Sequence, residues 1–143
     1  MIDAYSRRVV GWAMQARMTT ALTLAALDMA RRRRTPPPGL VHHSDRGGQY
    51  VSGDYQCALQ AAGMLASTSG NCLENAVAES FFATLKTEEV QDRPYETRSQ
   101  ARRCVFDYLE VFYNRQRRHS SLGFQSPAAF EAATLNRVSS KAG

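Results

Sequence analysis

The sequence contains few cysteines, and they are not arranged for cross-linking or for metal binding. Three are present, Cys57, Cys72 and Cys104, and none belongs to a Cys-x-x-Cys motif or to a closely spaced Cys and His pair. A disulfide framework needs paired cysteines, and a structural zinc site needs clustered ligands. Neither is indicated here, and the cysteines are interpreted as reduced thiols.

Long hydrophobic runs are also absent. A membrane-spanning helix needs about 20 consecutive apolar residues, whereas the apolar 43% of this chain is dispersed along it. At the start, Met1-Ile2-Asp3 leads directly into Tyr5-Ser6-Arg7-Arg8, without the apolar stretch and small-residue cleavage site of a secretory signal. These absences predict a cytoplasmic protein with no membrane partner.

Positive charge is in excess. Eighteen Lys and Arg against 13 Asp and Glu give a formal net charge of +5, with arginines concentrated at Arg31 to Arg34 and at Arg115, Arg117 and Arg118. Clustered guanidinium groups attract phosphate backbones, which indicates a polyanionic partner. The alternative, left open, is that Arg31 to Arg34 only solvate the last turn of a helix, where cations also interact favourably with the helix dipole.

The chain is long enough for one domain with a hydrophobic core, and its pattern alternates between strands and helices. Strands are predicted at residues 2–5, 8–14, 40–44 and 64–66, the first two forming a hairpin through Ser6-Arg7. Helices are predicted at residues 20–34, 52–62, 73–87 and 97–112, the last opened by a Thr97 and Gln100 capping box. Ser126-Pro127 opens a short helix before a frayed tail of about ten residues. This alternation predicts an α/β fold with a mixed sheet.

The helix of residues 73–87 presents two different faces. One face carries the apolar residues Leu73, Val77, Phe81 and Leu85, and another carries Asn75, Glu79, Phe82 and Lys86. Residues three and four apart share a helix face. The sequence therefore predicts that Glu79 points away from the core.

Two carboxylates fall where a metal site can form. Asp45 follows the predicted strand of residues 40–44, and Glu79 lies on the helix that comes next but one. Mg²⁺ prefers oxygen ligands, usually one or two carboxylates together with waters and phosphate oxygens. A second metal ion, as in two-metal phosphoryl transfer, generally requires a further bridging carboxylate. A third acid is therefore expected.

Each of these residues also has a simpler interpretation. Asp45 precedes Arg46-Gly47-Gly48, and an aspartate in such a sequence often caps a turn. Glu79 can be an ordinary solvated glutamate. His42 and His43 can be ligands or proton carriers, although a histidine at a strand end more often makes a local hydrogen bond.

The motifs taken together resemble the insertion-sequence transposases of the IS-three family, the group with an integrase-like DDE catalytic core. The matching segments, in chain order, are Asp3-Ala4-Tyr5-Ser6-Arg7-Arg8-Val9-Val10-Gly11-Trp12, His43-Ser44-Asp45-Arg46-Gly47-Gly48-Gln49-Tyr50 and Gly70-Asn71-Cys72-Leu73-Glu74-Asn75-Ala76-Val77-Ala78-Glu79-Ser80-Phe81-Phe82-Ala83-Thr84-Leu85-Lys86. Tyr113-Asn114-Arg115, Arg118-His119-Ser120-Ser121-Leu122-Gly123 and Ser126-Pro127 resemble the family's C-terminal signature. The resemblance runs from residue 2 to about residue 133.

The resemblance implies a ribonuclease-H-like fold whose Asp, Asp, Glu triad binds two Mg²⁺ or Mn²⁺ ions and cuts and joins DNA at transposon ends. Asp45 matches the second Asp and Glu79 matches the Glu. Asn75 and Lys86 are implied to approach DNA near the site. DNA binding by Arg115, Arg117 and Arg118 is expected from their clustered charge. The implied partners are transposon-end and target DNA, an intact transposase or upstream Orf product, and further copies of the chain assembled on DNA in a bacterial cytoplasm.

Two departures from the family pattern bear on activity. The family's first Asp lies on a central strand upstream of the one that carries Asp3, and Asp3 matches a different position. The 33 residues between Asp45 and Glu79 are also slightly fewer than is usual. We therefore expect an N-terminally truncated sheet that lacks its first strand, and a weakened DNA contact near Ser69-Gly70.

Two hypotheses follow. In the first, residues 1–113 are a partial integrase-type catalytic core and residues 114–143 a basic C-terminal segment of a DDE transposase, active only with the missing acid. In the second, the chain is a truncated, non-catalytic remnant that at most binds DNA or docks with an intact transposase. The DNA-binding residues would be Arg31 to Arg34, Arg115, Arg117, Arg118 and Lys86. The sequence favours the second for the chain in isolation.

Overall fold

The computed structural model describes residues 1–68, 72–91 and 94–141, with the side chains of residues 72–75 and 138–141 outside the description. The α-helices are α1 (Thr20–Arg33), α2 (Gly48–Val51), α3 (Gly53–Ala61), α4 (Cys72–Leu85), α5 (Arg98–Asp107) and α6 (Pro127–Lys141). The strands are β1 (Val41–His43) and β2 (Leu65–Ser67). π-helical turns at Lys86–Val90 and Tyr108–Tyr113 continue α4 and α5, and a 3₁₀ turn covers Ser120–Leu122.

The α/β prediction is confirmed by a small parallel sheet. Val41, His42 and His43 of β1 pair with Leu65, Ala66 and Ser67 of β2. Parallel neighbours cannot be joined by a tight turn and need a crossover, and the two helices α2 and α3 provide it. Within residues 1–68, 72–91 and 94–141 this sheet has two strands.

The predicted N-terminal hairpin is reduced to one antiparallel bridge between Ile2 and Val9. At the turn, Asp3 Oδ1 accepts hydrogen bonds from the backbone N–H groups of Tyr5 and Ser6, each at 2.9 Å. Short polar side chains that bond nearby backbone in this way compete with a strand ladder. The prediction of two regular strands over residues 2–14 was therefore wrong, although the chain does reverse direction there.

The predicted helix starts are confirmed at three caps. Ser52 Oγ accepts from Tyr55 N at 3.4 Å, Thr97 Oγ1 from Gln100 N at 3.1 Å, and Ser126 Oγ from Ala129 N at 3.3 Å. The Gln100 side chain, however, accepts from Glu96 N at 2.7 Å rather than from the N–H of Thr97. Only half of the expected capping box is formed.

Two helices extend or shift beyond the prediction. α6 continues to Lys141 instead of ending as a short helix. The π-helical turn after α5 changes which residue is buried, leaving Phe112 at 40% exposure while Tyr113 is at 3%. A π turn adds a residue to each backbone ring, so it moves the apolar face by one position.

The contacts divide the chain into two compact units. The first contains Met1 and Val10–Phe81, with a core of Leu27, Tyr55 and Leu59. The second contains Ile2–Val9 and the chain from Phe82 onward, with Tyr108, Leu109, Tyr113 and Leu122 among its buried residues. The catalytic-core boundary predicted after Tyr113 refers to the family pattern and stays a prediction.

No helix in the described part of the chain combines the length and apolar composition needed to cross a bilayer.

Candidate active site

Asp45 lies just after β1, where the sequence placed it, and it is exposed. Its Oδ1 accepts a hydrogen bond from the backbone N–H of Gly47 at 2.9 Å. The turn is compact, since a β-carbon at Gly47 would lie 2.9 Å from Asp45 Oδ1 and 2.7 Å from Gln49 Nε2, so both side chains would have to shift. The turn-capping interpretation of Asp45 is therefore confirmed, and the carboxylate remains reachable from solvent.

Glu79 lies on α4 in the same compact unit as Asp45 and is exposed. Two residues further along the helix, Phe81 is 7% exposed, whereas Phe82 is 63% exposed. The predicted division of this helix into a buried and an outward face is thus confirmed at these positions. Asp45 and Glu79 are two solvent-accessible carboxylates carried by one unit, one after a strand and one on a helix.

No third metal-ligating side chain accompanies Asp45 and Glu79 among the side chains that the structure describes. Within the residues whose side chains the structure describes, no three His, Cys, Asp or Glu lie close enough together to hold a metal ion. A joint metal site of Asp45 and Glu79 therefore stays a prediction.

His42 makes a side-chain hydrogen bond within the protein, but its partner lies 13 positions later in the chain rather than next to the strand end. Its Nε2 lies 2.7 Å from the hydroxyl of Tyr55, a residue with no exposed surface. Burial lowers the pKa of His42, and its Nδ1 is buried without a partner. This histidine connects β1 to α3 and is half-buried, whereas His43 is exposed.

Tyr50 is a residue near the site that sequence reasoning did not single out. Its ring meets the Tyr55 ring edge-on at 5.4 Å, and its backbone N–H donates to Gly47 O at 2.9 Å. Burial, and to a smaller extent the Asp45 carboxylate, raises the pKa of Tyr50. Its place beside Asp45 in the His43 to Tyr50 motif was the available signal.

The predicted DNA-binding residues fall into three groups. Lys86, Arg115 and Arg118 are exposed. Asn75 lies on α4, but its side chain is outside the described residues. Arg117 differs from the others because it is tied to Glu88, with its Nη2 2.8 Å from Glu88 Oε1 and its Nε 3.0 Å from both carboxylate oxygens.

Arg117 belongs to a cluster that the sequence did not reveal. Tyr108 donates its hydroxyl to Glu88 Oε2 at 2.8 Å, and the Arg117 guanidinium lies 5.9 Å above the Tyr113 ring. The hydrogen bonds from Arg117 lower the pKa of Glu88, and those to Glu88 raise the pKa of Arg117. The guanidinium of Arg117 is thus paired with a carboxylate of the protein itself. Because Glu88 lies 29 positions earlier in the chain, this pair is not visible in the sequence.

The sequence of the chain matches a known family of protein domains. Two sequence profiles described as integrase core domain match residues 1–71 and 79–135. The chain therefore belongs to the integrase core domain family, and its relatives are proteins of insertion sequences.

Three relatives define the group more narrowly. The chain is 49% identical over 130 residues to the 31 kDa protein of insertion element IS600 from Shigella sonnei, which covers 90% of this chain and 48% of the relative. It is 43% identical over 132 residues to the transposase of IS904 from Lactococcus lactis (91% and 52%) and 46% identical over 137 residues to the transposase InsF of IS3A from Escherichia coli K12 (94% and 48%). The chain thus spans about half the length of these curated relatives.

Proposed function

We propose that this chain is the part of a DDE transposase that supplies the second Asp and the Glu of the catalytic triad, on a ribonuclease-H-like fold. The observation that carries the proposal is the exposure of Asp45 and Glu79 in one compact unit, each inside a motif shared with the transposase family. Exposed acids at a strand end and on a helix are available for phosphoryl-transfer chemistry at DNA.

The two side chains fit Mg²⁺ or Mn²⁺. Both offer carboxylate oxygens, the ligand type that these hard cations prefer, and the Gly47 N–H holds the Asp45 carboxylate in a fixed orientation. Asp45 and Glu79 would hold the ions, which when bound supply activation of the attacking hydroxyl and stabilisation of the leaving oxygen.

The third carboxylate, we propose, comes from a segment outside these 143 residues. Two carboxylates can begin a site, but a pair of metal ions generally needs another acid to bridge or complete its coordination. We therefore propose that these residues do not cleave DNA alone and do so within a longer transposase that recognises transposon ends and target DNA.

Phosphate contact is proposed for the exposed cations Lys86, Arg115 and Arg118, and for Asn75 on α4. Each lysine or arginine that neutralises a phosphate releases counterions and adds to the salt dependence of binding. Arg117 is proposed to contribute less, because Glu88 already accepts its hydrogen bonds. Assembly of several copies on DNA and docking with an intact transposase or upstream Orf product are further elements of the proposal.

A second candidate function is non-catalytic DNA binding or docking by the chain alone. The observation in its favour is that the described side chains form no three-ligand metal group, while the exposed arginines remain. The two candidates differ in whether the acids of this chain take part in cleavage once the missing acid is provided.

A chimera tests the first candidate. Residues 2–133 would replace the matching segment of the Escherichia coli IS3A transposase, which supplies the remainder of the protein, and nicking of labelled transposon-end DNA would be measured with Mg²⁺ and with Mn²⁺. Asp45→Asn and Glu79→Gln should each lower the rate by more than about 100-fold, because even the loss of a residue that only hydrogen-bonds to a metal ligand costs about 10- to 100-fold.

Matched controls separate the acids from general charge. Asp54→Asn and Glu96→Gln replace exposed acids of the same types elsewhere, and both should leave nicking unchanged. Equal nicking by the chimera with and without Asp45→Asn would contradict the proposal. Mn²⁺-dependent nicking by the 143-residue chain alone would contradict the need for an outside acid.

A salt titration tests the second candidate. Binding of the 143-residue chain to duplex DNA should weaken as salt rises, and Arg115→Gln or Arg118→Gln should each reduce the logarithmic slope by about one. Arg117→Gln should reduce it less. A slope that does not respond to any of the three changes would rule out phosphate binding by this segment.

A further inference from the structure

The turn between the 3₁₀ segment and α6 has an unfavourable backbone conformation at Phe124. Gly123 has φ of 62° and Phe124 has φ of 58°, so two consecutive residues adopt the left-handed backbone conformation. The turn is closed by hydrogen bonds from Phe124 N to His119 O at 2.9 Å and from His119 N to Gln125 O at 3.1 Å. Glycine adopts this conformation freely, but for a residue with a β-carbon it is disfavoured.

The Phe124 ring gains little packing in return. It is 69% exposed, whereas the preceding Leu122, on the same turn, is 3% exposed. A glycine or asparagine at 124 would fit the left-handed turn better and would expose less apolar surface. Backbone strain combined with an exposed aromatic ring is the kind of outlier from which a functional role is inferred.

A cleft of about 280 Å³ lies directly beside this turn, and Gly123 and Gln125 on either side of Phe124 both line it. Tyr5, 64% exposed, contributes a ring whose centroid is 5.2 Å from that of Phe130. Thr134 and Arg137 add polar groups to the wall. All of these residues belong to the second compact unit.

We propose that Phe124 and the Tyr5–Phe130 cleft bind unpaired bases of a DNA strand. This inference rests on the proposed function, which makes DNA the partner. Exposed aromatic rings stack on bases that are splayed out of a helix, and they do so with little sequence preference. Paired bases of a duplex present only their edges in the grooves, so the surface should distinguish single-stranded from duplex DNA.

The mixed character of the cleft favours a nucleotide over an apolar peptide or a second copy of the chain. Gln125, Thr134 and Arg137 offer amide, hydroxyl and guanidinium groups beside the rings. A nucleotide meets them with base-edge and phosphate oxygens, and the formal charge of +5 attracts the polyanion.

Phe124 variants of the 143-residue chain test the proposal. The probes are a short single-stranded oligonucleotide with a fluorescent purine analogue and a duplex of the same sequence. Phe124→Ala and Phe124→Gly should each weaken single-strand binding by at least about fivefold, the lower end of a lost base–aromatic stack, and leave duplex binding unchanged. Phe124→Trp should retain single-strand binding.

Thermal unfolding separates this role from a structural one. Phe124→Gly relieves the left-handed strain, so it should raise the unfolding midpoint while it weakens single-strand binding. A residue needed only for packing would lose stability instead. Phe106→Ala, which removes another exposed phenylalanine (46%), should leave binding of both probes unchanged.

Two results would overturn the proposal. One is unchanged single-strand binding in Phe124→Gly, and the other is an equal loss for single-stranded and duplex probes. Neither depends on cleavage, so they are distinguishable from failure of the proposed function, which the Asp45 and Glu79 variants of the chimera report.

Discussion

The two compact units use the polar residues of their motifs in opposite ways. In the first unit, Asp45 and Glu79 are exposed, and Asp45 accepts a hydrogen bond from the backbone N–H of Gly47 in its own turn. In the second unit, Asn114 is 3% exposed and its side-chain amide bonds both backbone groups of Val9. Ser6, 1% exposed, donates to Glu131 in the same unit.

This contrast shows that similarity to a motif does not by itself identify a chemical site. A buried polar group must be hydrogen-bonded, and its loss leaves a partner unsatisfied. An exposed acid can be replaced at little cost to the fold. The two units should therefore respond differently to isosteric substitution.

The largest effect on stability is expected at Asn114. Asn114→Ala removes a donor 3.0 Å from Val9 O and an acceptor 2.9 Å from Val9 N. Both backbone groups lie in the interior, so the free energy of unfolding should fall by about 2 to 5 kcal/mol. Urea denaturation measures the change, and Asn136→Ala, at an exposed position of α6, serves as the control. If Asn114→Ala lowers the free energy of unfolding no more than Asn136→Ala does, the two units do not differ in the way described above.

A smaller loss is expected at Glu131. Its Oε2 lies 2.6 Å from Arg8 Nη1 and its Oε1 accepts from Ser6 Oγ at 2.7 Å. Glu131→Gln keeps an acceptor for Ser6 but removes the ion pair, which should cost about 1 to 2 kcal/mol because the Glu131 side chain is only 15% exposed. A double-mutant cycle with Arg8→Gln isolates the pair. No coupling between the two positions would show that the ion pair does not stabilise the unit.

Glu88 should make stability dependent on pH, by less than about 1 kcal/mol because the pair with Arg117 is partly exposed. Its pKa is lowered in the folded protein, so its contribution is full above the ordinary pKa of a glutamate. It is lost as the pH falls through the lowered folded pKa. Denaturation of Glu88→Gln across acidic pH should lack this decline. An identical decline in both proteins would assign it to other groups.

The smallest effect on stability is expected in the first unit. Asp45→Asn preserves the Oδ1 acceptor for Gly47 N, and Glu79→Gln changes an exposed helix position, so both should lie within about 0.5 kcal/mol of the unchanged protein. The same two variants are those expected to abolish nicking by the chimera. A loss of stability comparable to that of Asn114→Ala would mean that the acids serve the fold.

Much of the secondary structure was predictable because its causes are local. The caps at Ser52, Thr97 and Ser126 are side chains that bond backbone three residues away, and such pairs are visible in a sequence. The outward position of Glu79 followed from helical spacing alone. Where competing local bonds decided the outcome, as at Asp3 in the expected hairpin, the prediction failed.

The partners of several predicted DNA-binding residues were not predictable, because they depend on contacts between distant positions. Arg115, Arg117 and Arg118 are equivalent in the sequence, yet only Arg117 has Glu88, 29 positions away, as a recorded ion-pair partner among the described residues. His42 likewise forms its hydrogen bond with Tyr55, 13 positions later in the chain. No periodicity or spacing distinguishes these histidines and arginines from their neighbours.

The sequence by itself determined the family, the α/β alternation and the positions of Asp45 and Glu79 at the end of a strand and on a helix, because motifs, caps and hydrophobic spacing act over a few residues. Only the tertiary structure decided which polar groups are exposed for chemistry and which are buried as hydrogen-bonding partners. That outcome depends on burial, since a buried polar group is stabilised where the fold brings a hydrogen-bonding partner within reach, as it brings Val9 to Asn114.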